Sequence, residues 1–207
     1  MYIFTLFGVE IKKQKLVEEL EMLGIKQGDL LFISADLLAV GYFRNSISET
    51  LTDWMTILTS VVGETGTLVI PAYTPMFLRF RKNENCIFNK NSIPNSGALS
   101  KAFKNWPNVK RSSHPTHSCY AVGPLADAVL AGHNENSPCY LPYQRLAEHK
   151  GKNLMLGTID THNSPMTFHL AQELLGHTKS HPLSGLFQTF YIDSEGTKKL
   201  FEEICLD

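Results

Sequence analysis

Two short unbroken apolar runs, residues 30–33 (LLFI) and 66–70 (GTLVI), constrain the fold more than any other feature of this chain. Runs this short with no polar alternation suit strands covered on both faces, because each face must then be apolar. Between them Leu51, Trp54, Ile57, Leu58 and Val61 recur at helical spacing, and Ser46 or Ser48 stands where a helix cap is needed. A helix joining two buried strands predicts an α/β layered fold.

The remaining pattern agrees. Residues 2–5 and 9–11 flank Gly8 as a hairpin or extended lead-in, and Leu16, Leu20 and Leu23 mark an amphipathic helix stopped by Gly24. Helices are expected over residues 98–103 and 125–130, and strands over 119–122 and 153–156. A last helix carries Phe168, Leu170, Ala171, Leu174 and Leu175 and ends at Gly176. Residues 74–94, rich in Arg, Lys and Asn, read as a long surface excursion. At 207 residues and 43% hydrophobic content the chain can bury one core, so residues 1–207 are expected to form a single domain.

With 19 basic and 20 acidic residues the net charge is -1, which offers no electrostatic footprint for nucleic acid or an anionic membrane surface. Cys86, Cys119, Cys139 and Cys205 lack CxxC spacing, so neither a zinc ribbon nor a redox pair is indicated, and free thiols in a reducing cytoplasm fit best. The N-terminal MYIFTLFG has neither a basic region nor a cleavage site, and no run reaches membrane-spanning length. A soluble cytoplasmic protein is expected, with oligomerisation left open.

The segment KRSSHPTHSCYAVG, residues 110–123, crowds Arg111, Ser112, Ser113, His114, Thr116, His117 and Ser118 around Pro115. Proline fixes its own φ and biases His114 towards extended backbone, giving a rigid polar corner suited to an enzyme site or, alternatively, a solvated loop. His169 lies where a strand, a polar loop and a helix start converge, and an imidazole with an unperturbed pKa of ~6.5 suits a general base. Glu173 shares its helix face four residues on and is expected to orient it, although such pairs are common without catalysis. His114, His117 and His133 lack carboxylate company in the sequence, and no metal is expected. Cys119 falls in an apolar strand and reads as structural. No GxxxxGKS/T or GxGxxG is present, so any nucleotide-like cofactor must be held in another way.

Taken in order, several segments resemble the aminoglycoside 3-N-acetyltransferase family. They are GIKQGDLLFISADLLAVG (24–41), GTLVIPAYT (66–74), IPNSGALSKAF (93–103), RSSHPTHSCYAVG (111–123), SPCYLPYQRL (137–146) and NLMLGTIDTHNSPMTFHLAQE (153–173). The variant Ser34-Ala35-Asp36-Leu37 and the N-terminal lead-in look more like members associated with surface-polysaccharide amino sugars.

The resemblance implies a central mixed sheet flanked by helices and an enzyme that passes acetyl from acetyl-CoA directly to a small-molecule amine, an amino sugar or aminoglycoside. It implies His169 as the base, Ser34, Asp36, Leu37, Arg111, His114 and Ser118 as CoA contacts, and Tyr73 and Asn163 as acceptor contacts, with no metal. Where the family has Asp, Thr and Glu around its histidine, this chain has Asn163, Met166 and Gln172, leaving Glu173 and Asp160 as the nearest acidic replacements. A non-catalytic CoA-binding relative and a thioester hydrolase remain alternatives.

Overall fold

Leu31 and Ile33 pack into one apolar cluster while Leu30 and Phe32 of the same strand pack into another. The sheet therefore has a buried layer on each side, as the unbroken run LLFI requires. The computed structural model describes residues 2–5, 10–43, 46–74, 87–157, 167–178 and 184–206. In chain order the elements begin with β1 (Tyr2–Thr5), β2 (Glu10–Lys12), α1 (Lys13–Met22), β3 (Leu30–Ala35), α2 (Leu37–Val40) and β4 (Tyr42–Phe43). They continue with α3 (Ile47–Val62), β5 (Thr67–Pro71), β6 (Ile87–Phe88), α4 (Ala98–Phe103), β7 (Lys110–Arg111) and β8 (Cys119–Val122). The chain closes with α5 (Ala126–Leu130), α6 (Leu141–Glu148), β9 (Lys152–Leu156), α7 (Thr167–Leu174), β10 (Ser184–Ile192) and β11 (Lys198–Leu206).

The central five-stranded sheet has the order β7-β8-β5-β3-β9. β3 runs parallel to β5 and β9, and β8 runs antiparallel to β5 and β7, so the sheet is mixed. Residues of α1, α3 and α4 join the Leu31 side, and residues of α5, α6 and α7 join the Leu30 side. Ser46 caps α3, its Oγ accepting the Glu49 N–H at 3.1 Å, which decides between the two candidate serines. At the C-terminal end of β9, Gly157 has φ +70°, and a Cβ there would sit 2.2 Å from the Asp36 carbonyl oxygen. Only glycine allows β9 to pass this close to the start of α2.

A second sheet, of order β11-β10-β6, joins the C-terminal hairpin to a short strand. Within the long surface excursion expected over residues 74–94, Ile87 and Phe88 form β6 and pair in parallel with Phe190 and Tyr191; residues 75–86 lie outside the described set. The hairpin itself escaped the sequence reading because both of its faces carry apolar residues, which blurs the period-two signal. Its turn is set by Asp193, whose Oδ1 accepts the N–H groups of Glu195 and Thr197, each at 2.9 Å. No described helix is long and apolar enough to cross a membrane.

Candidate active site

The corner at residues 111–118 is interior. Ser112, His114, Thr116, His117 and Ser118 are all buried, so it is not a solvated loop. Arg111 explains part of this. Its guanidinium lies between the rings of Phe88 and Tyr120, 5.2 and 5.1 Å from their centroids. It donates to Ser118 Oγ at 3.2 Å, the Ala72 carbonyl at 2.9 Å and the Lys90 carbonyl at 3.3 Å, with a further short bond to the Ser92 carbonyl. Ser118 in turn donates to the Ala72 carbonyl at 2.8 Å. Both side chains act as struts tying β7 and β8 to the end of β5, with their polar atoms directed at protein groups.

Behind this strut lies a buried imidazole cluster. His133 Nε2–H donates to the Cys139 carbonyl at 3.2 Å, and its Nδ1 accepts from Ser112 Oγ at 2.9 Å. The His114 ring stacks on His133 with centroids 4.7 Å apart. His114 Nδ1 accepts the His117 N–H at 3.1 Å, so its proton sits on Nε2, which faces Glu203 Oε1 at 3.5 Å. Thr116 donates its hydroxyl proton to Glu203 Oε2 at 2.9 Å and so accepts from His117 Nδ1–H, also at 2.9 Å. Burial lowers the pKa of His114 and, more strongly, of His133. Burial pushes the Glu203 carboxyl up, but the facing His114 and His117 rings outweigh it and hold the carboxyl well below the usual range. His114, His117 and Glu203 bring ligand atoms within 4.8 Å of one another, as a metal site would. Metal-bound histidine normally donates from its other nitrogen. Here that nitrogen of His114 accepts an amide, so the arrangement is that of a hydrogen-bonded cluster.

Aromatic rings connect this cluster to His169. Tyr140 lies 5.3 Å from the His117 ring on one side and stacks on His169 at 6.0 Å on the other. Tyr143 lies 6.1 Å from Tyr140 and 4.3 Å from Phe32 of β3. The corner and His169 are thus near neighbours, separated by one tyrosine. Tyr73 belongs to the same aromatic wall: its hydroxyl shares a 2.7 Å hydrogen bond with Tyr143 Oη, and its ring meets His117 edge-on at 5.0 Å.

His169 is half-buried, and its Nδ1 lies 3.0 Å from Gln172 Oε1. An amide oxygen can only accept, so a neutral ring making this bond carries its proton on Nδ1 and leaves Nε2 bare. The residue that orients His169 is therefore Gln172, three positions on, in place of the expected Glu173. Glu173 makes no hydrogen bond to His169: burial, then the Glu203 charge, raises its pKa, and its Oε2 has no hydrogen-bond partner among the described residues. Burial also raises the Cys119 thiol, consistent with a structural cysteine.

An apolar-walled cavity of about 610 Å³ opens at the C-terminal ends of β3 and β5 and is lined by Ser34, Asp36, Leu37, Leu51, Ser96 and Gly97 among others. Asp36 spends its Oδ1 on capping α2, accepting from Leu38 N at 3.0 Å and Ala39 N at 3.3 Å. Ser34 and Leu37 thus reach a cavity, Asp36 shapes its rim, and Arg111, His114 and Ser118 are turned inwards. Asn163 and the loop of residues 158–163 lie outside the described residues. Sequence reasoning gave no role to Tyr140, Tyr143 or Glu203 and named Thr116 only as part of the polar corner. The tyrosines were visible in SPCYLPYQRL, but nothing local to residue 203 points to residue 116.

The profile of the family described as Aminoglycoside 3-N-acetyltransferase matches residues 32–206, covering the central sheet, the corner, His169 and the hairpin. The chain belongs to the aminoglycoside 3-N-acetyltransferase family. It is similar to aminoglycoside N(3)-acetyltransferase IX of Micromonospora chalcea, 27% identical over 215 residues that cover 95% of this chain and 74% of the relative. It is also similar to aminoglycoside N(3)-acetyltransferase III of Serratia marcescens, 29% identical over 164 residues covering 70% of this chain and 58% of the relative. Its fold is similar to that of the apoenzyme of the aminoglycoside acetyltransferase AAC(3)-IVa, with a TM-score of 0.73 and 25% identity over 95% of this chain and 70% of that one. The family is one of acyltransferases.

Proposed function

We propose that this chain transfers acetyl from acetyl-CoA to the amino group of an amino sugar or aminoglycoside, with His169 as general base and no acyl-enzyme intermediate. The observation that carries the reading is the 3.0 Å contact between His169 Nδ1 and Gln172 Oε1, which leaves Nε2 free of the ring proton. An acceptor amine is protonated and inert at neutral pH until a base takes its proton, and a neutral imidazole presented by a fixed partner does this efficiently. His169 Nε2 takes the ammonium proton, the amine nitrogen bonds to the thioester carbonyl carbon, the carbon–sulfur bond breaks, and the second proton that the nitrogen loses passes to the departing sulfur to give CoA thiol.

The cavity beside Ser34, Leu37 and Leu51 fits the pantetheine arm, which is part apolar and part amide. Acetyl-CoA supplies the activated thioester. Arg111 is committed to carbonyl oxygens, and the α2 amides of Leu38 and Ala39 to Asp36, so neither is proposed as a phosphate ligand. The relatives' names specify aminoglycosides. This chain's balanced charge and its Asn163 and Gln172 favour a less cationic amino sugar.

A thiol-release assay with acetyl-CoA and a panel of amines tests the reading. Release that depends on the amine, and that His169→Ala abolishes while calorimetric CoA binding persists, is the expected result. Release without amine indicates a hydrolase instead, and binding without release a non-catalytic relative.

A further inference from the structure

β11 forms one margin of its three-stranded sheet, and among the described residues no strand pairs with its outer side. A nine-residue edge with unpaired N–H and C=O groups is a template for another strand unless it is shortened, bent or charged against one. The hairpin decides which groups face outwards. Asp193 N–H donates to the Thr197 carbonyl, and opposed residues in an antiparallel pair alternate between exchanging hydrogen bonds and not doing so. In the register that sets Tyr191 against Lys199 and Thr189 against Phe201, the odd-numbered residues of β11 bond to β10. The even-numbered ones, Lys198, Leu200, Glu202 and Ile204, turn their backbone groups outwards.

The side chains of these four residues also share the exposed face. Leu200 is 43% and Ile204 47% accessible, a large fraction for apolar residues in a strand. Laid antiparallel against a second copy about a twofold axis through Leu200, the outward groups match pair for pair. Lys198 then opposes Glu202 of the second copy, Leu200 opposes Leu200, and Glu202 opposes Lys198. Opposite charges across strands attract and like charges repel. An axis through Glu202 would set that carboxylate against itself, and one through Phe201 would set Leu200 against Glu202. The charges on this edge therefore select one self-pairing register, where same-sign charges would have blocked all of them.

We propose that β11 is a self-pairing edge, which joins two copies of the chain through a sheet continuous across a twofold axis. The occupant is a second copy because the edge complements its own sequence. The same strand carries Glu203 inwards to Thr116, so the interface also braces the buried imidazole cluster.

Sedimentation velocity over a dilution series tests this without reference to activity. The expected result is a concentration-dependent monomer–dimer equilibrium that weakens as salt is raised. Lys198→Glu and Glu202→Lys, made singly, each place like charges opposite one another at both symmetric positions and should weaken the dimer about tenfold or more. The double variant restores the opposed pairs and should restore the dimer. Lys198 also lies over the Phe190 ring at 4.2 Å, a contact that both the single Lys198 variant and the double variant lose, so recovery in the double variant isolates the intermolecular pair. Circular dichroism establishes that each variant is folded. A wild-type chain that is monomeric throughout, a dimer indifferent to single reversal, or a double variant as weak as the singles overturns the proposal.

Discussion

Thr116 donates its hydroxyl to Glu203 across 87 residues of chain, at 2.9 Å, and so fastens the C-terminal hairpin to the histidine-proline corner. The carboxylate that accepts this bond is largely buried and faces two imidazoles. Replacing Glu203 with Gln keeps the shape but turns an amide towards His114 Nε2–H or the Thr116 hydroxyl, where an acceptor is needed. Loss of a charged hydrogen-bond acceptor of this kind costs about 2 kcal/mol. Glu203→Gln should show that loss in urea denaturation.

Acid should destabilise the protein in two steps. His114 and His133 have pKa values lowered by burial, so the folded state holds them neutral while the unfolded chain takes up protons as pH falls through about 6.5. The depressed Glu203 carboxyl contributes stability that is complete above its unfolded value, about 4.3, and is lost as pH falls below that. Thermal melts at neutral, mildly acidic and strongly acidic pH should resolve both steps. Only the lower one should shrink in Glu203→Gln.

Arg111→Lys separates a strut from a phosphate ligand. The guanidinium makes several bonds in a plane between two rings, and an ammonium can reproduce neither the fork nor the stacking. The variant should lose about 3 kcal/mol of stability. Its CoA affinity, measured by calorimetry at a temperature where it is folded, should be unchanged. A protein of normal stability with weakened CoA binding would identify Arg111 as a phosphate contact instead.

Gln172→Ala removes the partner that fixes the His169 tautomer while leaving the imidazole itself in place. The expected fall in kcat is about tenfold, against about 10³-fold for His169→Ala, with CoA binding retained in both. Glu173→Gln, which changes a carboxyl not bonded to His169, should have the smaller effect on kcat. A larger effect from Glu173 than from Gln172 would contradict the observed pairing.

Gly157→Ala should be among the most damaging single-methyl additions near the cavity. The new Cβ would meet the Asp36 carbonyl at 2.2 Å, at a φ of +70° that side chains resist. A loss of about 3 kcal/mol is expected in calorimetry, together with weaker CoA binding as α2 is pushed from the cavity rim.

What the sequence determined by itself was everything local. LLFI and GTLVI announced strands buried on both faces, Ser46 or Ser48 announced a cap, and the density of polar groups around Pro115 announced something other than ordinary core. Periodicity and capping act over a few residues, so they can be read in one dimension. Tertiary structure decided which side of the surface those groups fell on. The corner proved to be interior because Arg111, Ser118 and Thr116 find acceptors at Ala72, Ser92 and Glu203, each supplied by a distant segment. The choice of Gln172 over Glu173 was likewise a tertiary outcome. Both lie within one turn of His169, and spacing alone does not say that the 3.0 Å contact goes to Gln172. Polar groups must be satisfied in three dimensions, and a partner 87 residues away leaves no trace in local spacing.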